Sequence, residues 1–521
     1  MTAATVDGGH AIAVDGIPGP ALDGTSAVTV VGYGPAAHRL VQRLRHHGHR
    51  GPVTVFGAEP HPAYLRGQLV SVLDGTLPAD ALTLAPLPPG VQVRTGSRIA
   101  AVDPRRRLVR SDDGTEHPYG LLVLATGSRP VLPPLAGGAG ARRAPDIRVP
   151  HTLLGARPVV RGPVVVVGGG LRGTETAYAL GRAGHDVTLV HPGAHPVHRL
   201  LDARAGGLVT GVLREVGVVP ETGRRVVAVE PGKIVMDDGR LLAAATLLLC
   251  TGSEPDTHLA RTAGLAVQDG VVVDERLRTG DPYIYALGDC VQQPPGHHGT
   301  LTSAWDQADA LARTLSGGDG RLRPARHTLV RPRLPALAVL GPPGASDTPG
   351  DDEQIVLSDP AGGRYGRLVL RDGRVRAGIL VGLDRAVATV GRLYAEDRPL
   401  PPDRLALLLG TDEEYANSAA LPDTAVVCQC NNVTRKDLER AWGQGARDLP
   451  AIAVATRATT GCGSCTEVVR RICEVAEGAG APVAEGARVT VVDRAGATVA
   501  EGTGTPVAEQ TGATVVEGTG A

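Results

Sequence analysis

Four cysteines late in the chain are spaced for electron chemistry. They are Cys428-Gln429-Cys430 and Cys462-Gly463-Ser464-Cys465, with 31 residues between the pairs. Two close thiolate pairs can each grip one iron of a [2Fe–2S] cluster. Gly461 and Gly463 free the second loop, so that backbone N–H groups can turn toward sulfur. Structural zinc is the rival, because it too takes four thiolates. Its sites usually pair two C-x₂₋₄-C halves, however, and here one half is C-x-C. Cys250, Cys290 and Cys473 read as small buried side chains.

Two glycine-rich turns suggest a second chemistry. Val28-Thr29-Val30-Val31 runs into Gly32-Tyr33-Gly34-Pro35-Ala36-Ala37. Gly32 suits a tight turn, Gly34 lets backbone approach a pyrophosphate, and Ala37 is small enough for a helix to pack on the strand. The helix N-terminus then offers free N–H groups and partial positive charge to phosphate. The strand VTVFGAE places Glu59 near the position of a carboxylate that bonds ribose hydroxyls. The second turn, Gly168-Gly169-Gly170-Leu171-Arg172-Gly173, follows Val164–Val167 and has all three motif glycines, with Glu175 on the helix beyond. An ordinary strand–turn–helix corner has the same outline, more plausibly at the first turn than at the second.

Smaller signals connect the turns. Leu121–Ala125 ends in Thr126-Gly127-Ser128, and Leu247–Cys250 ends in Thr251-Gly252-Ser253. At both, small residues let backbone pass close to a cofactor. Tyr283–Leu287 ends in Gly288-Asp289, where an acceptor can hold a ribitol hydroxyl.

The elements that must position these groups are βα units. β-branched runs alternate with glycine turns and helix-period stretches, which implies a mainly parallel sheet covered by helices. RYGRLVLRDGRVRAGILVG reads as a hairpin turning at Asp372-Gly373. Val433-Thr434 opens a helix with Thr434 as N-cap. The expected fold class is α/β: two Rossmann-like dinucleotide-binding domains, a small α+β domain and a small helical [2Fe–2S] domain. The expected boundaries are a flexible extension at 1–24, a discontinuous FAD domain at 25–140 and 245–318, and an NAD(P) domain at 141–244. An α+β domain at 325–412, the cluster domain at 421–476 and a disordered tail at 477–521 follow. The net charge of −1 and 2% aromatic content argue against nucleic-acid and anionic-membrane partners. No run approaches the roughly 20 apolar residues of a membrane span, and no secretory signal is evident, so a cytoplasmic, reducing location is the expectation.

The order loop, Ala-Thr-Gly, loop, Thr-Gly, Gly-Asp resembles the two-dinucleotide flavoprotein reductases, the superfamily of glutathione reductase and ferredoxin reductase. The resemblance covers about residues 27–315. It implies FAD on Gly32, Gly34, Ala37, Glu59, Thr126, Gly127, Gly288 and Asp289. It implies the nicotinamide nucleotide on Gly168, Gly170, Gly173 and Glu175, with Gly252 near a cofactor. No cysteine occurs between Met1 and Leu249, which excludes the flavin-side dithiol of the disulfide reductases. The segment from Val426 to Glu474 resembles bacterioferritin-associated ferredoxin, implying Cys428, Cys430, Cys462 and Cys465 as cluster ligands.

The same small domain follows a flavoprotein half in two other families: the assimilatory nitrite reductase large subunit and the assimilatory nitrate reductase electron-transfer subunit. Ala63-Tyr64-Leu65-Arg66 and Ala304-Trp305-Asp306-Gln307-Ala308 resemble those proteins too, adding Arg66 to the cofactor contacts. A sirohaem domain of the nitrite enzyme is not expected, as no cysteine follows Cys473.

The implied function is a relay from NAD(P)H through FAD and the cluster to a partner, with a molybdenum nitrate reductase catalytic subunit as the leading candidate. A reductase for a ferredoxin, rubredoxin or oxygenase, a non-catalytic redox or iron sensor, and an amine-oxidising flavoprotein are the alternatives. Nucleotide choice stays open. The strand VTLV ends at His191 rather than at an acid, and His191, His195, His198 and Arg199 could meet a 2′-phosphate or form a solvated loop. Family resemblance favours NADH.

Overall fold

The computed structural model describes residues 20, 22–136, 146–157, 162–292, 300–322, 328–331, 337–341, 352–409, 421, 423, 425–428, 433–459, 465–480, 489–492 and 498–502. Two five-stranded sheets, each wholly parallel, dominate it. The first has the spatial order Ile284–Ala286, Leu121–Leu124, Val28–Val31, Val53–Gly57, Val91–Thr95. The second has the order Val219–Thr222, Val187–His191, Val164–Val167, Thr246–Leu249, Asp146–Arg148. The central strands VTVV, LLVL, VVVV and TLLL are buried at every position. Continuous apolar runs are what a strand covered on both faces requires.

The helix Pro35–His46 buries Ala37, Leu40, Val41 and Leu44 at three- and four-residue spacing against the first sheet. Each large aliphatic side chain so buried stabilises the pair by roughly 1.5–3 kcal/mol. The first sheet is closed by Ile284–Ala286, a strand that arrives only after the second sheet is complete. The first half is therefore discontinuous in sequence.

Two expected boundaries shift. Thr246–Leu249 belongs to the second sheet, paired in register with Val164–Val167, and not to the domain expected to start at 245. A central parallel strand needs a neighbour on each side, and this one is the counterpart of Leu121–Leu124. At the other end, Leu22 packs on the first core and Gly24 O accepts Arg50 N at 2.7 Å, so the chain is docked before residue 25.

A third sheet is antiparallel, in the order Thr328–Arg331, Leu337–Leu340, Arg374–Val381, Arg364–Arg371, Glu353–Asp359. Its hairpin turns on Asp372 (φ 53°) and Gly373 (φ 69°), a two-residue turn with both φ values positive. The sheet packs against the second half through Val197, Leu201, Ala205 and Val209, which meet Leu337, Val339, Ile379 and Val381. Beyond it, three helices, Arg435–Gly443, Leu449–Thr456 and Thr466–Gly480, enclose a separate core with Trp442 and Ile452.

Within 477–521, expected to be disordered, the last helix runs past 476 to Gly480, and Val489–Val492 pairs antiparallel with Thr498–Gly502. The β-branched runs VTVV and TV carry that short hairpin despite the low-complexity composition. Among the described residues, no helix is long and apolar enough to cross a membrane.

Candidate functional site

The first glycine loop divides its labour by sterics. Gly32 has φ +107°, and a Cβ there would lie 2.1 Å from Ala125 O. Gly34, the N-cap of Pro35–His46, has nothing within 4 Å of a built Cβ. The first glycine thus serves the fold, and the second leaves open space before a helix N-terminus, where a pyrophosphate fits. Ala37 is fully buried. Gly127 (φ +72°) and Gly252 (φ +100°) are likewise open.

The two Thr-Gly segments are stitched together. Ser128–Pro130 pairs antiparallel with Ser253–Pro255. Thr126 donates its hydroxyl hydrogen bond to Asp256 O at 2.6 Å, Asp256 N donates to Gly127 O at 2.9 Å, and Val131 N donates to Gly252 O at 3.0 Å. This ribbon couples the two halves directly. Sequence order gave no sign of it.

Gly288 (φ +82°) approaches Ala36 of the first loop, 3.3 Å from a built Cβ. Its N–H is held by Gln307 Oε1 at 2.6 Å, and Gln307 is buried. Gln307 is the site residue that sequence reading missed, although the Trp305-Asp306-Gln307 motif was the signal for it. Asp289 is reachable by solvent, yet protein crowds it. That desolvation holds its pKa above the ordinary carboxylate value, against the pull of Arg172, Ser128 and Arg66. Glu59 is already engaged: Tyr64 donates to its Oε2 at 2.8 Å and Arg66 ion-pairs with its Oε1. Arg66 also donates to Tyr64 Oη at 2.9 Å and His151 O at 3.1 Å. A carboxylate has about four acceptor positions, so Glu59 keeps capacity for hydroxyls.

The second loop follows the same logic. Gly168 (φ +105°) would place a Cβ 2.3 Å from Cys250 O, Gly173 would place one 1.7 Å from Gly168 O, and Gly170 is open. Glu175 is buried on the helix Leu171–Arg182. Arg172 donates to Pro150 O at 3.0 Å. His191 is buried, and both of its nitrogens are used within the protein. Gly169 N donates to Nδ1 at 3.0 Å, and Nε2 lies 2.8 Å from His198 Nδ1. It therefore stands behind the loop and supports it.

Cys428 and Cys465 are brought into one core with Leu438, Trp442, Ile452 and Val469, at 1% and 3% exposure. Cys430 and Cys462 lie outside the described residues. Thr459 N donates to Cys465 Sγ at 3.3 Å, from backbone in the left-handed region (Arg457 φ 63°, Thr459 φ 68°). Buried sulfur facing an N–H donor fits a thiolate ligand, whose negative charge such bonds stabilise. Thr434 and Asp437 form a reciprocal capping box that fixes the helix beside Cys428. Cys473 packs in the same core, and burial raises its pKa. Cys250 and Cys290 are buried, with their thiol pKa values raised by desolvation.

Residues 26–308 match the model of the pyridine nucleotide-disulphide oxidoreductase family, and residues 426–474 match that of the BFD-like [2Fe-2S] binding domain. The chain belongs to the pyridine nucleotide-disulphide oxidoreductase family. It is an NAD(P)H-dependent oxidoreductase whose cofactors are FAD, NAD(P)H and a [2Fe–2S] cluster.

It is 31% identical over 476 residues to a nitrite reductase (NAD(P)H) large subunit of Klebsiella oxytoca, covering 86% of this chain and 48% of that one. To the assimilatory nitrate reductase electron transfer subunit of Bacillus subtilis it is 26% identical, covering 85% and 58%. The chain thus spans about half the length of these relatives. The chlorobenzene dioxygenase ferredoxin reductase component of Cupriavidus sp. is 30% identical, with 73% of this chain covering 95% of that one. Among solved structures, the covalent putidaredoxin reductase–putidaredoxin complex superposes with a TM-score of 0.65 at 26% identity, covering 74% of this chain and 99% of that one.

Proposed function

We propose that this chain takes reducing equivalents from NAD(P)H and delivers them singly to a partner protein, a molybdenum-containing nitrate reductase catalytic subunit. When bound, FAD accepts a hydride, and the iron–sulfur cluster transfers one electron at a time. The protein's own part is placement. Gly34 and Gly127 leave room for FAD beside a helix N-terminus, Asp289 and Glu59 offer acceptors for its hydroxyls, and Gln307 holds Gly288 against the first loop. Gly170 opens the corresponding space for the nicotinamide nucleotide, and Gly32, Ala37, Gly168 and Gly173 set the close packing of both corners. Cys428, Cys430, Cys462 and Cys465 would hold the cluster, and of these Cys428 and Cys465 lie in a core closed to water.

One observation carries the relay: the two open glycine corners share a chain with a domain that buries Cys428 and Cys465 together. The test is an anaerobic titration with NAD(P)H, followed by flavin absorbance and EPR. Wild type should bleach its flavin and then show a reduced-cluster signal. Cys465→Ser should bleach normally and show none. Bleaching of wild type without cluster reduction ends the relay.

A second reading makes the chain a reductase for a separate ferredoxin or oxygenase component. The 95% coverage of a dioxygenase ferredoxin reductase supports it. That alignment takes in 73% of this chain, whereas the nitrite and nitrate relatives extend over 86% and 85%. The cluster domain favours electron transfer within the chain before the partner is met. Comparing reduction rates of a purified nitrate reductase subunit and a purified ferredoxin separates the two.

A further inference from the structure

Three histidine rings crowd the end of the strand Val187–His191, and three glycines make the space for them. A Cβ on Gly169 would lie 2.6 Å from the His191 ring, one on Gly193 would lie 2.3 Å from His198 Nδ1, and one on Gly206 would lie 2.0 Å from His195 Nδ1. The rings of His191 and His198 have centroids 4.8 Å apart.

The hydrogen bonds fix their direction. A backbone N–H can only donate, so Gly169 N at 3.0 Å makes His191 Nδ1 an acceptor. The proton of a neutral His191 then sits on Nε2 and is donated to His198 Nδ1 at 2.8 Å. His198 must in turn carry its own proton on Nε2. That nitrogen belongs to an exposed ring and has no partner among the described residues. Arg199 beside it is exposed and has no ion-pair partner among the described residues. His195 Nδ1 donates to Pro196 O at 3.0 Å.

The carboxylates beside this strand end are already engaged. Asp202 caps the helix Ala203–Glu215 by accepting Ala205 N at 2.9 Å, and it also accepts Tyr365 Oη at 2.6 Å. Glu221 receives two bonds from Arg240, at 3.0 and 2.8 Å. Recognition of an unmodified ribose relies on a carboxylate at this strand end, whereas a 2′-phosphate wants donors and positive charge.

We propose that His198 and Arg199 contact the 2′-phosphate of NADPH, with His191 as the positioning residue that aims His198, so that the enzyme prefers NADPH to NADH. This rests on the reading of residues 162–250 as the nicotinamide half.

The full chain is titrated calorimetrically with 2′,5′-ADP and with 5′-AMP, and kcat/KM is measured for NADPH and NADH. Wild type should bind 2′,5′-ADP at least tenfold more tightly than 5′-AMP. His198→Ala and Arg199→Ala should each narrow that ratio by roughly 10-fold or more, the loss expected of one charge-assisted hydrogen bond. His191→Asn can still accept from Gly169 N, but its amide stops short of the Nε2 position that reaches His198, so it should narrow the ratio as His191→Leu does. A merely structural role for His191 would move stability and leave the ratio alone. Equal affinity for the two probes, or a higher kcat/KM with NADH, overturns the proposal. If neither probe binds and neither nucleotide bleaches the flavin, the nicotinamide reading itself falls, and the proposal with it.

Discussion

Gly32-Tyr33-Gly34 and Gly168-Gly169-Gly170 end the same kind of buried valine strand, yet they carry their bulk on opposite sides. In the first loop the middle residue is Tyr33, and the facing strand ends in Gly57, whose built Cβ would lie 2.9 Å from Tyr33 Cβ. In the second loop the middle residue is Gly169 and the facing strand ends in His191. The registers correspond, since Val31 pairs with Phe56 just as Val167 pairs with Val190. One small and one large residue fill each corner, and the order is exchanged. The consequence is chemical. The first half keeps its strand end clear and uses Glu59, two residues further on. The second half puts an imidazole at the strand end and joins it to the loop by a hydrogen bond.

The largest expected effects come from the residues that the two loops share. Gly34 and Gly170 both face open space, so a valine at either leaves the protein packing intact and fills the room meant for a ligand. Gly34→Val should purify without FAD and still bind 2′,5′-ADP. Gly170→Val should retain FAD and fail to bleach with NADPH. Flavin content and calorimetry distinguish the two, and loss of both cofactors from either variant would show that the halves are not separable.

The third motif position is where the loops differ in tolerance. A Cβ on Gly173 would lie 1.7 Å from Gly168 O and 3.1 Å from Cys250 Cβ, whereas Ala37 already occupies the corresponding place with no exposure. Gly173→Ala is therefore expected to cost about 3 kcal/mol or more, through a backbone clash that cannot relax locally. Ala37→Gly should cost only about 1 kcal/mol, the propensity difference within a helix. Thermal unfolding of the two variants is the measurement, and equal losses would show that the corners are steric equivalents after all.

The imidazole that replaces a clear strand end brings a pH dependence to the second corner. Burial, followed by the charges of His198, His195 and Arg199, lowers the His191 pKa from 6.5 to about 4. The unfolded chain therefore binds a proton between these values that the folded chain refuses. The stability is fully present above about pH 6.5 and is lost as pH falls toward 4, by on the order of 3 kcal/mol. Melting temperatures between pH 4 and 7 should fall more steeply for wild type than for His191→Asn, and parallel slopes would remove His191 as the cause.

Much of the architecture was legible in the sequence. Val28–Val31 and Val164–Val167 announce buried parallel strands by composition, and the glycine spacing places the turns. The hairpin at Asp372-Gly373 and the N-cap at Thr434 are local, and local chemistry decides them. What escaped was long-range. The ribbon of Ser128–Pro130 with Ser253–Pro255 is built from backbone groups, which leave no side-chain signature. Thr246–Leu249 was assigned to the wrong half because an apolar strand does not say which sheet it joins. At His191 the sequence shows a missing acid and leaves a 2′-phosphate contact and a solvated loop both open, but it does not show the Gly169 N–H that takes up the imidazole. Gln307 reaches Gly288 across 19 residues, a distance at which spacing is silent.

The smallest expected effect concerns how each half is braced from outside. In the first, Arg39 and Arg43 of the loop helix pair with Asp309 at 2.9 and 3.2 Å. These pairs are half-buried at the surface, and surface pairs contribute little, typically about 0.2–1 kcal/mol. In the second, Tyr365 of the antiparallel sheet donates to Asp202 Oδ2 at 2.6 Å, while Asp202 Oδ1 still caps its helix through Ala205 N. Burial and the Asp202 charge hold the Tyr365 hydroxyl protonated well above its ordinary range, so the donor is present at every working pH. Tyr365→Phe should cost about 1 kcal/mol, the net worth of one such bond. Because the capping bond survives, the loss should appear as a lowered melting temperature with the NADPH-to-NADH ratio unchanged. A shift in that ratio would mean that the third sheet helps to set the position of the loop around His198, and that the second half is braced for recognition as well as for stability.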